Sequence, residues 1–202
     1  MNKHHLLLAL VSAACLGWSV PMASGADKPI MTTKVLLRDP VVPEQRRWTF
    51  LSKDPSIVFG SNGDSDTPTT HGASVMFFNP ATSECQCFVL PATGWSLGGA
   101  GDRYAYRDNP TLVTPVKLVL IRNRKLKIVA RGANLTGITL DETSQGQIEV
   151  HYTSGTANKL CGLVSAPRVD RPQVYVGVDA PAPGACAAEP VGCSPCVPPI
   201  VP

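Results

Sequence analysis

The sequence predicts an all-β protein, a single-domain antiparallel β-sandwich carrying an extended Pro-rich C-terminal tail. Short runs rich in Val, Ile, Leu, Thr and aromatic residues recur along the chain, separated by Gly, Pro or Asn-Asp clusters. No stretch sustains a helical period, and 19 Pro with 17 Gly would interrupt one. Charged residues make up 16% and aromatics 6% of the chain, a balance that fits neither a coiled coil nor a disordered polymer.

Residues 1–26 read as a secretory signal. Lys3, His4 and His5 form a short basic start, Leu6 to Val20 an apolar centre, and Ala23-Ser24-Gly25-Ala26 a small-residue cleavage region. The apolar run is shorter than the roughly 20 residues of a membrane-spanning helix, so no transmembrane span is expected after cleavage. An uncleaved N-terminal anchor is the alternative. Cys15 resembles a lipoprotein processing site, but Ser12 stands where an aliphatic residue is usual, which disfavours lipidation. Export to the periplasm or beyond is therefore expected.

The remaining chain, about 175 residues, is long enough for one domain with a real core, assigned to 27–179. Its expected strands run in order. KVLLR (34–38) precedes a Pro-punctuated turn, and RRWTFLSK (46–53) sets Trp48 and Phe50 against Arg47, Thr49 and Leu51. GASVMFFN (72–79) and CQCFVLPA (85–92) flank the turn PATSE. A hairpin spans 115–132, turning at Asn123, with Leu126, Ile128 and Ala130 alternating with Lys125, Lys127, Val129 and Arg131. GQIEVHYTS (146–154), KLCGLV (159–164) and QVYVGV (173–178) complete the set. Near Ala180 the composition shifts, and 180–202 reads as an extended linker and tail.

The chain holds 18 Lys and Arg against 15 Asp and Glu, +3 overall, and cleavage removes Lys3. This balance provides no global attraction to nucleic acid or anionic lipid, and no nucleic-acid partner is expected. The basic run Lys117, Arg122, Arg124, Lys125, Lys127 and Arg131 can meet an acidic polysaccharide or phosphate surface; it equally protects strands against edge-to-edge aggregation. Trp48, Trp95, Tyr104 and Tyr106 offer a sugar-stacking platform, although Trp48 and Trp95 also suit a core. A glycan-binding module would therefore use Trp95, Tyr104, Tyr106, Lys125 and Lys127.

FLSKDP (50–55), GASVMFFN (72–79), LPATGW (90–95), KLKIVARGA (125–133), TLDETSQGQIEV (139–150), KLCG (159–162) and APAPGAC (180–186) occur in that order. Over roughly 34 to 186 the chain resembles a family of uncharacterised secreted β-rich bacterial domains. The resemblance implies export and a β fold, but no reaction. It also implies cysteines at the positions of Cys161 and Cys186; the CxC and CxxC pairs are additions to that pattern.

Six cysteines follow the signal, and export permits them to pair. A Cys161–Cys186 bridge would return the Pro-rich segment to a late strand; the alternative is a free buried thiol at Cys161. For Cys85-x-Cys87 and Cys193-x-x-Cys196, three arrangements are open. Two disulfides can tie the tail to a strand, because residues 85 and 87 share a face about 6.5–7 Å apart. Four thiolates can instead bind zinc. A redox-active CxxC is the third, but GCSPCVPP lacks the helix that would activate it.

Other candidates are weaker. Asn62, Asp64 and Asp66 alternate in SNGDSDTPTTHG, a pattern that can ligate calcium but more simply makes turns. His71 and His151 can join Met76 or a cysteine in a zinc or copper site, against the simpler reading of a solvent-facing or hydrogen-bonded sheet histidine. Asp141 and Glu142 are adjacent acids without a facing partner, unlike a glycosidase pair. No GxSxG, HExxH, P-loop or GxGxxG motif occurs, and the sequence indicates no cofactor. The leading expectation is an exported non-catalytic module with a structural or binding role, its partners envelope proteins or surface glycans. Glycan binding, metal binding and hydrolysis are the alternatives.

Overall fold

The computed structural model describes residues 26–58, 67–108, 114–155, 159–193 and 196. Residues 1–25 of the expected signal, Cys15 among them, and Asn62, Asp64 and Asp66 lie outside them. Thirteen strands occur: β1 Asp27–Pro29, β2 Thr32–Arg38, β3 Arg47–Ser52, β4 Ala73–Phe78, β5 Cys85–Leu90, β6 Trp95–Leu97, β7 Arg103–Arg107, β8 Val116–Arg122, β9 Lys125–Arg131, β10 Ile148–Ser154, β11 Lys159–Val164, β12 Val169–Arg171 and β13 Val174–Ala180. One α-helical turn, α1 Pro68–His71, precedes β4. The all-β expectation holds.

The strands form two sheets. The smaller has the order β1-β11-β10-β4-β5, and the larger β12-β13-β2-β3-β9-β8-β7-β6. Every pairing is antiparallel except β1 with β11. Strand alternation turns one face of each sheet inward. Val35, Trp48, Phe50, Ile128 and Tyr106 of the larger sheet meet Val75, Phe77, Val150 and Tyr152 of the smaller in one continuous core. Trp48 packs on Phe77 at 5.4 Å between ring centroids, and Trp95 on Tyr152 at 6.4 Å. Such pairs add about 0.5–1.5 kcal/mol beyond area burial.

Two close approaches require their particular backbones. Gly162 lies where a Cβ would come within 2.5 Å of Thr32 Oγ1 and 2.8 Å of the Phe50 ring. In the β12–β13 turn, Pro172 fixes its own φ, and Gln173 takes the left-handed conformation at φ 69°. The Gln173 amide donates to Leu140 O at 2.6 Å, and its carbonyl accepts from Asp39 N at 3.0 Å.

Several sequence expectations need correction. β1, β6, β7 and β12 were not anticipated: three span only three residues, and β7 is flanked by Gly-rich and charged segments. His71 was expected to begin a strand but closes α1, exposed. The strand expected over 173–178 continues to Ala180, which packs against the core, so the ordered sheet runs one residue past the expected boundary at 179. Thr49 shares the outward face of β3 with Arg47 and Leu51, as the alternation predicts, and its neighbours leave it only 9% exposed.

Candidate functional site

Three disulfides organise the tail: Cys85–Cys193, Cys87–Cys196 and Cys161–Cys186, with Cα separations of 6.1, 5.6 and 5.6 Å. The four-thiolate zinc and redox-CxxC readings of the first two pairs are corrected by this arrangement. Their sulfurs are bonded to one another and are not the thiolates that either chemistry requires. Cys161 is not a free thiol. Three disulfides fit an oxidising, exported environment.

The anchors lie on the outward face of the smaller sheet. Cys87, Met76, His151 and Cys161 form one row in register across β5, β4, β10 and β11. Cys85, Phe78, Glu149 and Leu163 form the next. The tail is bonded to these rows at both sides and crosses as a strap. Met76 and Phe78, outward residues of a sheet that would otherwise face solvent, are 1% and 0% exposed.

Under the strap lies an ionic cluster. His151 is 2% exposed; its Nε2 faces Glu149 Oε1 at 2.9 Å and its Nδ1 faces Glu189 Oε1 at 3.0 Å. Both ring nitrogens meet carboxylates, an arrangement satisfied by the doubly protonated imidazolium. Burial alone would lower the His151 pKa, but hydrogen bonds to Glu149 and Glu189 outweigh it and hold the value above the usual histidine range. The hydrogen bond to His151 holds Glu189 below the usual carboxylate range, against its partial burial. Ala187 N donates to Glu149 Oε1 at 3.0 Å, and Lys159 Nζ lies 3.6 Å from Glu189. Phe78 meets the His151 ring edge-on at 4.8 Å. Sequence reasoning missed Glu149 and Glu189. The E-x-H spacing on one strand was visible, whereas Glu189 is brought in only by the disulfide-bound tail.

The second feature is the outward face of the larger sheet. Arg38, Arg47 and Arg131 stand directly opposite one another across β2, β3 and β9. At the other end, Arg103, Arg122 and Lys125 do the same across β7, β8 and β9. Between these ladders, Lys34, Leu51, Lys127 and Leu120 form a row across four strands. Among the described residues, no Asp or Glu occupies an outward position of these strands. Lys125 is held below the usual lysine range by desolvation and by Arg122, Lys127 and Lys53.

The proposed glycan residues therefore divide between two faces. Lys125 and Lys127 are outward, but Trp95, Tyr104 and Tyr106 are 7%, 7% and 0% exposed and belong to the core. These rings are not available as a stacking platform, because alternation along β6 and β7 turns them inward. Of the expected basic run, Lys117 instead pairs with Asp108 at 2.5 Å.

His71 is not among the ligand atoms gathered near His151. Asp141 and Glu142 lie in an exposed loop, where Glu142 Oε2 accepts a hydrogen bond from Gln145 Nε2 at 2.6 Å. Among the described residues, no helix is long and apolar enough to cross a membrane. No family model, no curated protein and no solved structure matches the chain.

Proposed function

We propose that the protein is an exported, non-catalytic binding module whose larger sheet docks on an acidic polysaccharide. The one-signed outward face is the observation that carries this reading. Like charges directly opposite across a sheet are unfavourable, by roughly 0.2–1 kcal/mol per pair. The ladders Arg38–Arg47–Arg131 and Arg103–Arg122–Lys125 repeat that cost on one surface, with Arg103 also paired to the exposed Asp102 at 3.2 Å. A polyanion removes it by neutralising each row.

The shape of the face supports a polymer over a membrane. Its central apolar residues Leu36, Leu51, Leu118 and Leu120 are half-buried, and Val129 is 7% exposed, so no large apolar side chain stands proud for insertion. Cation rows crossing strands every 4.7–4.9 Å suit an extended chain lying across the sheet. The long Lys and Arg stems cover the apolar centre while their heads remain in water.

The test is binding of the mature protein to alginate, with neutral dextran as control, at low and physiological salt. Alginate is expected to bind with strong salt dependence and dextran not to bind. Arg47→Gln with Arg131→Gln, or Lys125→Gln with Lys127→Gln, should weaken binding. Retention on anionic phospholipid vesicles without alginate binding would transfer the face to a lipid surface. No binding to either at low salt overturns the reading.

A further inference from the structure

Beneath the strap, Glu149, His151, Cys161 and Cys186 each contribute one ligand atom, all within 4.8 Å of one another. In the oxidised protein two of the four are the sulfurs of a disulfide. We propose that the set is a zinc site gated by the Cys161–Cys186 bond, opened when that bond is reduced. The reading is independent of the basic face.

Backbone register fixes the ligand positions. His151 and Cys161 stand opposite each other on β10 and β11, and Glu149 precedes His151 by two residues on the same outward face. Cys186 is held to Cys161 from above. The donor set of two sulfurs, one imidazole and one carboxylate is borderline-soft and matches tetrahedral Zn²⁺. Sulfurs about 2 Å apart in a disulfide need reach only about 3.8 Å to share a zinc with Zn–S bonds near 2.3 Å.

A second observation points to the same site. Glu149 is fully buried, its Oε1 accepts from Ala187 N and His151 Nε2, and its Oε2 has no hydrogen-bond partner. Buried carboxylate oxygens are ordinarily satisfied. This one is a spare acceptor on a carboxylate that belongs to the cluster. On the far side of the ring, Glu189 receives the His151 Nδ1–H. A histidine ligand normally has such a partner, which orients the ring and raises its basicity.

The step balances with a dithiol as reductant. The dithiol supplies two electrons and two protons, the Cys161–Cys186 S–S bond breaks, and the dithiol closes to its own disulfide. Zn²⁺ then displaces one proton from each thiol and one from His151 Nε2, releasing three protons to solvent. It bonds to both thiolates, the imidazole and the Glu149 carboxylate. The metal thereby replaces the disulfide as the closure of the same 25-residue loop.

The test reduces the full mature chain with dithiothreitol, removes the reductant anaerobically, and adds Zn²⁺ or Co²⁺. One zinc per chain with a retained β-sheet circular dichroism spectrum is expected. The cobalt spectrum should report tetrahedral ligation by two thiolates. Cys193→Ser with Cys196→Ser should retain the metal, whereas Cys161→Ser with Cys186→Ser should lose it. His151→Gln and Glu149→Gln, which keep all six cysteines, should each weaken zinc by at least about tenfold. A reduced chain that unfolds with zinc present, a four-thiolate cobalt spectrum, or zinc affinity unchanged in His151→Gln and Glu149→Gln overturns the proposal.

Discussion

Glu189, 38 residues beyond His151 in sequence, meets the His151 ring at 3.0 Å and seals it beneath the tail. The contact joins two groups whose ionisation favours each other. Their shifts define a pH window. The raised His151 value means its contribution to stability is complete below the ordinary histidine value of 6.5 and is lost as pH rises through the folded value. The lowered Glu189 value means its contribution is complete above 4.5 and is lost as pH falls through the folded value. Glu149 and Lys159 also face the pair. The stability difference between wild type and Glu189→Gln should therefore peak between pH 4.5 and 6.5 and shrink on both sides. Denaturant titrations across pH check this; a difference that does not vary with pH would refute the window.

The two strand-to-tail disulfides should act cooperatively. Each closes a loop of more than 100 residues, with sequence separations of 108 and 109. With one intact, the other closes only a few additional residues. Replacing one pair with serines should cost about 2 kcal/mol, and replacing both more than twice that. Additive losses in guanidinium denaturation would show that the bridges act separately.

Gly162→Ala should destabilise by about 1–3 kcal/mol, because the new methyl meets Phe50 and Thr32 inside the sandwich. A nearby substitution on the opposite face of β11, Leu163→Ala, forces no added atom into the sandwich core and should cost less. Thermal melts of both variants make the comparison.

Arg47→Gln should separate binding from stability. It interrupts the Arg38–Arg47–Arg131 ladder, so folding should become slightly more favourable, by up to about 1 kcal/mol. Alginate affinity and its salt dependence should fall together. A variant that loses stability while retaining affinity would argue that the ladder is structural.

Much of the fold was legible because strand alternation and turn chemistry are local. The β8–β9 hairpin shows this: Leu126, Ile128 and Ala130 alternate with Lys125, Lys127, Val129 and Arg131, and all three are buried. The turn was centred on Asn123, yet Arg124 is the residue with positive φ, at 62°. Trp95, Tyr104 and Tyr106 had the composition of a sugar platform, but composition does not reveal which face an aromatic side chain takes. Burial of Trp95 against Tyr152 depends on a strand more than 50 residues away in sequence.

By itself, the sequence determined the class of fold, the alternation of most strands, and a cysteine set able to tie the tail down. Those properties follow from nearest-neighbour geometry and covalent chemistry. Only the tertiary structure decided that Cys85 takes Cys193 and Cys87 takes Cys196, that Glu189 closes over His151 and Glu149, and that Arg38, Arg47 and Arg131 form one row. These relationships depend on sheet order and register, which bring together residues that no local pattern connects. The overall charge was close to balanced; it took the fold to align the cations of β2, β3, β7, β8 and β9, strands that carry no acid, on one outward face.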